Sequence, residues 1–301
     1  MDENVRKILE KQGYKIVGEH SAVKACHWLK ESLVNNRACY KEKFYGIKSH
    51  RCLQMTPSVA WCQHKCVFCW RPIEHTIGSE MEFEVDEPSD IIDGAIEQQR
   101  RILSGYWGNE RVDREKLREA LEPRHAAISL AGEPTTYPRI GELIEEFHNR
   151  GFTTFLVTNG MNPGRLASIV EPTQLYLSIE AYDEELYKRI NNPQIKDGWE
   201  RLDRSLEVLN SIRTKKVIRI TLVRGFNLDE PEKFAPLIEK AQPDFVEPKG
   251  YVHVGYSRRR LQREDMPSFE EVREFGTALA NEIGYEMRDF SKQSKVVLLA
   301  R

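Results

Sequence analysis

Beyond Cys69 the sequence contains no cysteine, so the last 232 of its 301 residues have none. It also lacks a long apolar run. The longest are short stretches such as Val296 to Ala300, far below the roughly 20 residues that cross a bilayer, so no membrane span is expected. Met1 to Arg6 show no basic segment leading into an apolar one, which argues against a secretory leader and makes the cytoplasm the expected compartment. No excess of one charge is present either. The 45 Lys and Arg against 47 Asp and Glu leave a net −2, which excludes a surface coated in basic residues for indiscriminate nucleic-acid binding. With 40% apolar and 31% charged residues and a mean hydropathy of −0.57, the chain reads as globular with a polar surface rather than disordered.

The charge and cysteine that are present are unevenly placed. Residues 1–52 carry 11 basic and 6 acidic side chains, a balance of +5 that leaves −7 for residues 53–301. A second basic place is Arg258-Arg259-Arg260-Leu261-Gln262-Arg263, near Tyr251 and Tyr256; taken alone, such a run is ordinarily a solvated loop. All six cysteines fall within 44 residues and form two triplets of different spacing. Cys26, Cys39 and Cys52 read C-x12-C-x12-C, whereas Cys62, Cys66 and Cys69 read C-x3-C-x2-C.

Three disulfides suit a small secreted chain, not one of this length without a leader. Structural zinc asks for a closed tetrahedral set, and the tight triplet stops at three ligands unless His64 or His75 completes it. An iron–sulfur cubane held by three thiolates leaves its fourth iron to a ligand that is not cysteine, and an open iron is a place for chemistry. Each triplet is a candidate set of that kind.

Leu53 to Ala60 reads as a strand opening directly into Trp61-Cys62-Gln63-His64-Lys65-Cys66-Val67-Phe68-Cys69-Trp70, and strand-end loops carry the active groups of α/β barrels and open sheets. The spacing, with aromatic Phe68 just before the last cysteine, resembles the radical AdoMet enzymes. That resemblance implies a partial TIM barrel of six strand–helix units, and six strands can be counted: 53–60, 125–130, 153–158, 174–179, 217–223 and 244–247. Between them, helices are expected at Ser89 to Leu103 with Ser89 as cap, at Arg139 to Asn149 with Gly151 as stop signal, and from Pro163 onward. Near-continuous apolar strands suit a parallel sheet covered on both faces. The expected fold is therefore α/β, a (β/α)6 partial barrel over residues 53–290, with an N-terminal cluster-bearing extension (1–52) and a C-terminal tail (291–301) that could add an edge strand.

Ala131-Gly132-Glu133-Pro134-Thr135 is similar to the Gly-Gly-Glu segment of radical AdoMet enzymes, with Ala131 in place of the first glycine; a backbone contact survives that methyl if the dihedrals are ordinary. The resemblance implies AdoMet contacts from Glu133, Thr135, Asn159, Ser178, Glu180 and Arg219, although any one of these could instead cap a helix or satisfy a strand end.

The upstream triplet narrows the family. Together with Trp61 to Cys66, Ser129 to Thr135 and Gly255-Tyr256-Ser257-Arg258-Arg259-Arg260-Leu261, it resembles the tRNA 4-demethylwyosine synthases of the wybutosine pathway over essentially the whole chain. The likeness is to the short archaeal-type form, without the flavodoxin-like domain of eukaryotic relatives, and so implies a monomer served by a separate electron donor such as a flavodoxin or ferredoxin. It further implies two [4Fe–4S] clusters and AdoMet, with Cys62, Cys66 and Cys69 holding the cluster that cleaves AdoMet. A radical would take hydrogen from the N1-methyl of a guanosine beside the tRNA anticodon. The methylene would add to the carbonyl carbon of pyruvate, whose carbon 1 is lost, and ring closure would give the tricyclic base. Cys26, Cys39 and Cys52 would hold a second cluster that binds pyruvate through its open iron.

Lys41, two residues from Cys39, could form a Schiff base with pyruvate in place of that chelation or beside it; phosphate contact or plain solvation is the alternative. For RNA, Arg258, Arg259, Arg260 and Arg263 are candidates for anticodon phosphates, and Trp61, Trp70 and Trp107 for base stacking. The insertion from Tyr106 to Pro123 is either an anticodon-stem contact or a charged surface helix. Two other functions stay open: a radical AdoMet enzyme on another substrate with an electron-relay auxiliary cluster, and a non-catalytic zinc-bearing RNA-binding barrel.

Overall fold

Six apolar runs form six parallel strands, three in each of the two units into which the chain divides. The computed structural model describes residues 1–301; one unit comprises Met1–Trp61, Glu80–Val157 and Val170–Thr173, the other Cys62–Ser79, Thr158–Ile169 and Gln174–Arg301.

In the first unit, α1 (Glu3–Lys11), capped by the Asp2 carboxylate, leads into the antiparallel pair β1 (Lys15–Val17) and β2 (Ser21–Val23). Then come α2 (His27–Asn35), α3 (Tyr40–Tyr45), β3 (Cys52–Thr56), α4 (Pro88–Ser104), α5 (Arg114–Ala120), β4 (His125–Ile128), α6 (Ile140–Asn149) and β5 (Thr153–Thr158). β2 is antiparallel to β3, whereas β3, β4 and β5 are parallel neighbours. The strand expected to reach Ala60 stops at Thr56, because Pro57 has no N–H to continue a ladder. Likewise α4 starts at Pro88 with Glu87 as its cap, not at Ser89: proline's fixed φ suits the first helical position, where a missing N–H costs no bond.

The insertion after α4 is tied inward. Val112, Leu117 and Ala120 join Leu29 and Leu33 of α2 and Leu103 of α4 in one buried apolar group, and the Asp113 N–H donates to the Leu33 carbonyl at 2.9 Å. Its inner face therefore braces the helix that follows Cys26, while Glu115 and Arg118 stay exposed.

The second unit contains α7 (Pro163–Ala167), β6 (Gln174–Ser178), α8 (Glu184–Asn191), α9 (Gly198–Ser211), β7 (Lys215–Leu222), α10 (Ala235–Ala241), β8 (Phe245–Gly250), α11 (Phe269–Ile283), β9 (Glu286–Ser291) and β10 (Val296–Ala300). β6, β7 and β8 are parallel, in a register that sets Ser178 opposite Arg219 and Arg219 opposite Glu247. β8 runs past the expected Glu247 through Pro248, which it tolerates because β10 is registered to Phe245, Val246 and Lys249 but not to the proline. The tail does not form the edge. β10 lies between β8 and β9 with all five residues buried, and β9, whose exposure alternates along its length, takes the edge instead.

Candidate active site

The Cys62–Cys69 segment has no regular structure of its own to satisfy its backbone, and α8 supplies the partners. The last carbonyls of a helix have no intrahelical donor. Here the Ile190 carbonyl accepts the Val67 N–H at 3.0 Å, and the Asn191 and Asn192 carbonyls accept that of Lys65 at 3.1 Å, with Asn192 in the left-handed conformation that ends the helix. Gly78 accepts the Cys62 N–H and Gln63 accepts that of Gln194, so the loop is held from both sides. His64 is occupied as well: its Nε2 lies 2.7 Å from the Tyr187 hydroxyl, and burial pushes its pKa down to about 3.

Nitrogen donors reach two of the three sulfurs. The His64 N–H donates to Cys62 Sγ at 3.4 Å, the Asn191 side-chain amide to Cys66 Sγ at 3.5 Å, and the Asn159 amide reaches Cys62 Sγ at 3.9 Å. Burial raises the Cys66 thiol well above its ordinary pKa; Glu180, Cys69 and Cys62 add to the effect and Asn191 opposes it. No three Cys, His, Asp or Glu side chains converge tightly enough for a single metal ion, yet the thiols of this triplet stand within electrostatic reach of one another. Mutually repelling thiolates, two of them met by N–H donors, fit an iron–sulfur cluster, whose positive irons reverse the penalty on deprotonation.

Beside the loop, the ends of β6 and β7 form a partly buried polar group. Arg219 Nη2 donates to Ser178 Oγ at 3.0 Å, while its Nε is buried with no partner in the protein. Such an orphan donor fits a ligand carboxylate or hydroxyl. Burial raises the pKa of Glu180, opposed by Arg219, Asn191 and Thr221. Asn227 joins the two strand ends by donating to the carbonyls of Glu180 and Thr221 and accepting the Val223 N–H at 2.8 Å. Nothing in the sequence singles out Asn191 or Asn227, which are lone amides without a motif.

In the first unit, Gly132 has φ +70°, and a Cβ there would lie 1.8 Å from the Ser58 carbonyl oxygen; no other residue type fits. Ala131 has no positive φ, so its methyl is harmless, and its carbonyl accepts the Thr56 hydroxyl at 2.6 Å. The buried Glu133 carboxylate accepts both the N–H and the hydroxyl of Thr135, at 3.0 and 2.6 Å.

Cys26 and Cys39 precede α2 and α3 as their caps, and Cys52 opens β3. Burial pushes the Cys52 thiol up to about 12, with Cys26 and Cys39 adding to the rise and Lys41 opposing it. These three sulfurs and the Lys41 ammonium are therefore neighbours. Lys41 Nζ also lies 4.8 Å from the centre of the Phe155 ring, whereas Lys43 is exposed.

Two expectations about RNA contacts change. Trp61 is 4% exposed and packs on Phe83 with ring centres 5.3 Å apart, so it is a core residue with no face for a base; Trp70 is half-buried and Trp107 exposed. Arg258, Arg259 and Arg263 are exposed, and Arg259 stacks on Tyr256 at 4.2 Å. Arg260 is turned inward onto the carbonyls of Val67 and Cys69.

Comparison with known proteins covers the whole chain. Residues 56–238 match the family model of the radical SAM superfamily, and residues 240–301 that of wyosine base formation. The S-adenosyl-L-methionine-dependent tRNA 4-demethylwyosine synthase of Pyrococcus abyssi is 54% identical over 100% of this chain and 90% of its own length. Among solved structures, TYW1 with a lysine-pyruvate adduct bound superposes with a TM-score of 0.91 at 44% identity, covering 100% of this chain and 96% of that one. Archaeal TYW1 gives 0.83 at 39% identity with the same coverage.

Proposed function

The chain belongs to the S-adenosyl-L-methionine-dependent tRNA 4-demethylwyosine synthases of the radical SAM superfamily, and from that premise we propose which of its residues do what. Its fold is the superfamily's partial (β/α)6 barrel, and its reaction condenses N1-methylguanosine beside the tRNA anticodon with pyruvate to form 4-demethylwyosine. When bound, a [4Fe–4S] cluster and AdoMet supply the one-electron chemistry that makes a methyl C–H reactive.

In our proposal Cys62, Cys66 and Cys69 hold that cluster, with N–H donors from His64, Asn191 and Asn159 settling negative charge on the sulfurs. Arg219, through its unpaired Nε, is assigned to an acidic or hydroxyl group of AdoMet, with Ser178 and Glu180 orienting it. Glu133 and Thr135 shape the turn that Gly132 makes possible.

Cys26, Cys39 and Cys52 are assigned to a second cluster, and residues 1–52 to the extension that carries it. The observation that carries the pyruvate assignment is the grouping of this triplet with Lys41. Lys41, as the neutral amine, forms an imine with the keto carbon of pyruvate, losing water, and the Phe155 ring face steadies the protonated imine that results. The solved relative with a lysine-pyruvate adduct supports this choice.

Arg258, Arg259 and Arg263 are assigned to tRNA phosphates. The proposal adds a monomeric state, a separate low-potential flavin or iron–sulfur protein as electron donor, and the cytoplasm as compartment. Anaerobic incubation with AdoMet, pyruvate and N1-methylguanosine-containing tRNA, read by nucleoside mass spectrometry, tests the core of it. Product formed without pyruvate would favour an electron-relay role for the second triplet, and loading with zinc alone would remove the redox reading.

A further inference from the structure

Arg260 does not share the surface with its neighbours. Its Nε donates to the Val67 carbonyl at 3.1 Å, one terminal nitrogen to the Cys69 carbonyl, and the other to the Glu74 carboxylate at 2.7 Å. Its side chain is 17% exposed, in a run whose other three arginines are open to solvent. The same turn touches the same loop twice more. The Tyr256 N–H donates to the Trp70 carbonyl at 2.9 Å, and Gly255, at φ +60°, packs so closely that a Cβ would lie 2.4 Å from that oxygen. The carbonyls of residues 67, 69 and 70 thus take their donors from one turn far along the chain.

We propose that Arg260 is a positioning residue for the cysteine loop and not a phosphate ligand. Its planar fork fixes the backbone on both sides of Phe68, and with it the direction from which the Cys69 sulfur approaches its ligand. This rests on reading Cys62, Cys66 and Cys69 as cluster ligands. Only arginine has donors spaced to hold two carbonyls and a carboxylate at once; a lysine's single ammonium keeps the charge and loses the span. Gly255 and Tyr256 set the distance at which the fork works.

The test compares Arg260→Gln, Arg260→Lys and Glu74→Gln, each in a Cys26→Ala, Cys39→Ala, Cys52→Ala background so that only the loop's iron is counted after anaerobic reconstitution. Iron release to a chelator is followed in time, tRNA binding is titrated over several salt concentrations, and the metal-free proteins are melted to check folding. The expected result is release roughly tenfold faster in both Arg260 variants, as the removal of charge-assisted bonds to the loop implies, with a smaller change in Glu74→Gln. The salt dependence of tRNA binding stays as in the parent. Release at the parent's rate overturns the proposal, and so does a salt slope lowered by roughly 0.7–0.9, which would return Arg260 to the phosphates. A parent that binds no iron overturns the cluster reading itself, a result distinct from either.

Discussion

The side-chain amide of Asn191 donates to Cys66 Sγ across 3.5 Å. The same amide lies 3.1 Å from the Glu180 side-chain oxygen, so one buried group serves both the sulfur and the carboxyl. Hydrogen bonds to cluster sulfurs raise the reduction potential. Asn191→Ala is therefore expected to hold its cluster yet show the reduced signal only at lower potential in an EPR-monitored titration. An iron-replete variant with the parent's potential would deny Asn191 this part.

The two cysteine triplets are expected to separate. Reconstituted protein should carry about eight irons, falling to about four when Cys26, Cys39 and Cys52 are all alanine. Cys66→Ala should make no 5′-deoxyadenosine, whereas Cys39→Ala should still cleave AdoMet and form no tricyclic base. Equal product from both single variants would refute the division.

Lys41 is open to direct trapping. Pyruvate followed by borohydride should add a reduced adduct to the intact protein, detected by mass spectrometry and located at Lys41 by peptide mapping. Lys41→Arg keeps a cation over Phe155 but cannot form the imine, so labelling should vanish while the fold persists. Undiminished labelling in that variant would place the adduct elsewhere.

For the exposed arginines, neutralising Arg258 and Arg259 together should weaken tRNA binding and lower its salt slope by roughly 0.7–0.9 for each phosphate that is no longer neutralised. AdoMet cleavage without tRNA should continue. Filter binding at several salt concentrations decides it, and an unmoved slope would mark the run as ordinary solvated surface.

His20 gives a pH dependence. It is fully buried; its Nδ1 donates to the Pro57 carbonyl at 2.5 Å and its Nε2 accepts the Asp86 N–H at 3.0 Å, so the neutral ring uses both nitrogens. Burial lowers its pKa below 6.5, with Pro57 and Asp86 partly opposing. The unfolded chain then takes a proton that the folded chain refuses: stability is complete above about pH 6.5 and declines below it. Metal-free protein should melt lower at about pH 5.5 than at about pH 7.5, and His20→Gln should soften that difference. A melting temperature that is flat or rises on acidification contradicts the assignment.

The six parallel strands are legible because burial on both faces writes short unbroken apolar stretches such as Phe155 to Val157 and Leu175 to Leu177. β1 and β2 are three residues each, too short for any period, and β9 hides behind Glu286, Arg288 and Asp289. β10 is visible as a run, but its place inside the sheet depends on β9, which a local pattern does not reveal. Cysteine spacing announces both triplets for the same local reason. Asn191 is 125 residues from Cys66, and the partners of Arg260 are carbonyls that every residue possesses. Chemistry carried by backbone atoms leaves no letter in a sequence.

The end of α8 has a thermodynamic consequence for the loop seated on it. Because the Lys65 and Val67 amides are bonded to the helix's final carbonyls, they exchange with solvent only when the loop and that last turn come apart. Loop and helix end then open as one cooperative unit, with shared protection against hydrogen exchange.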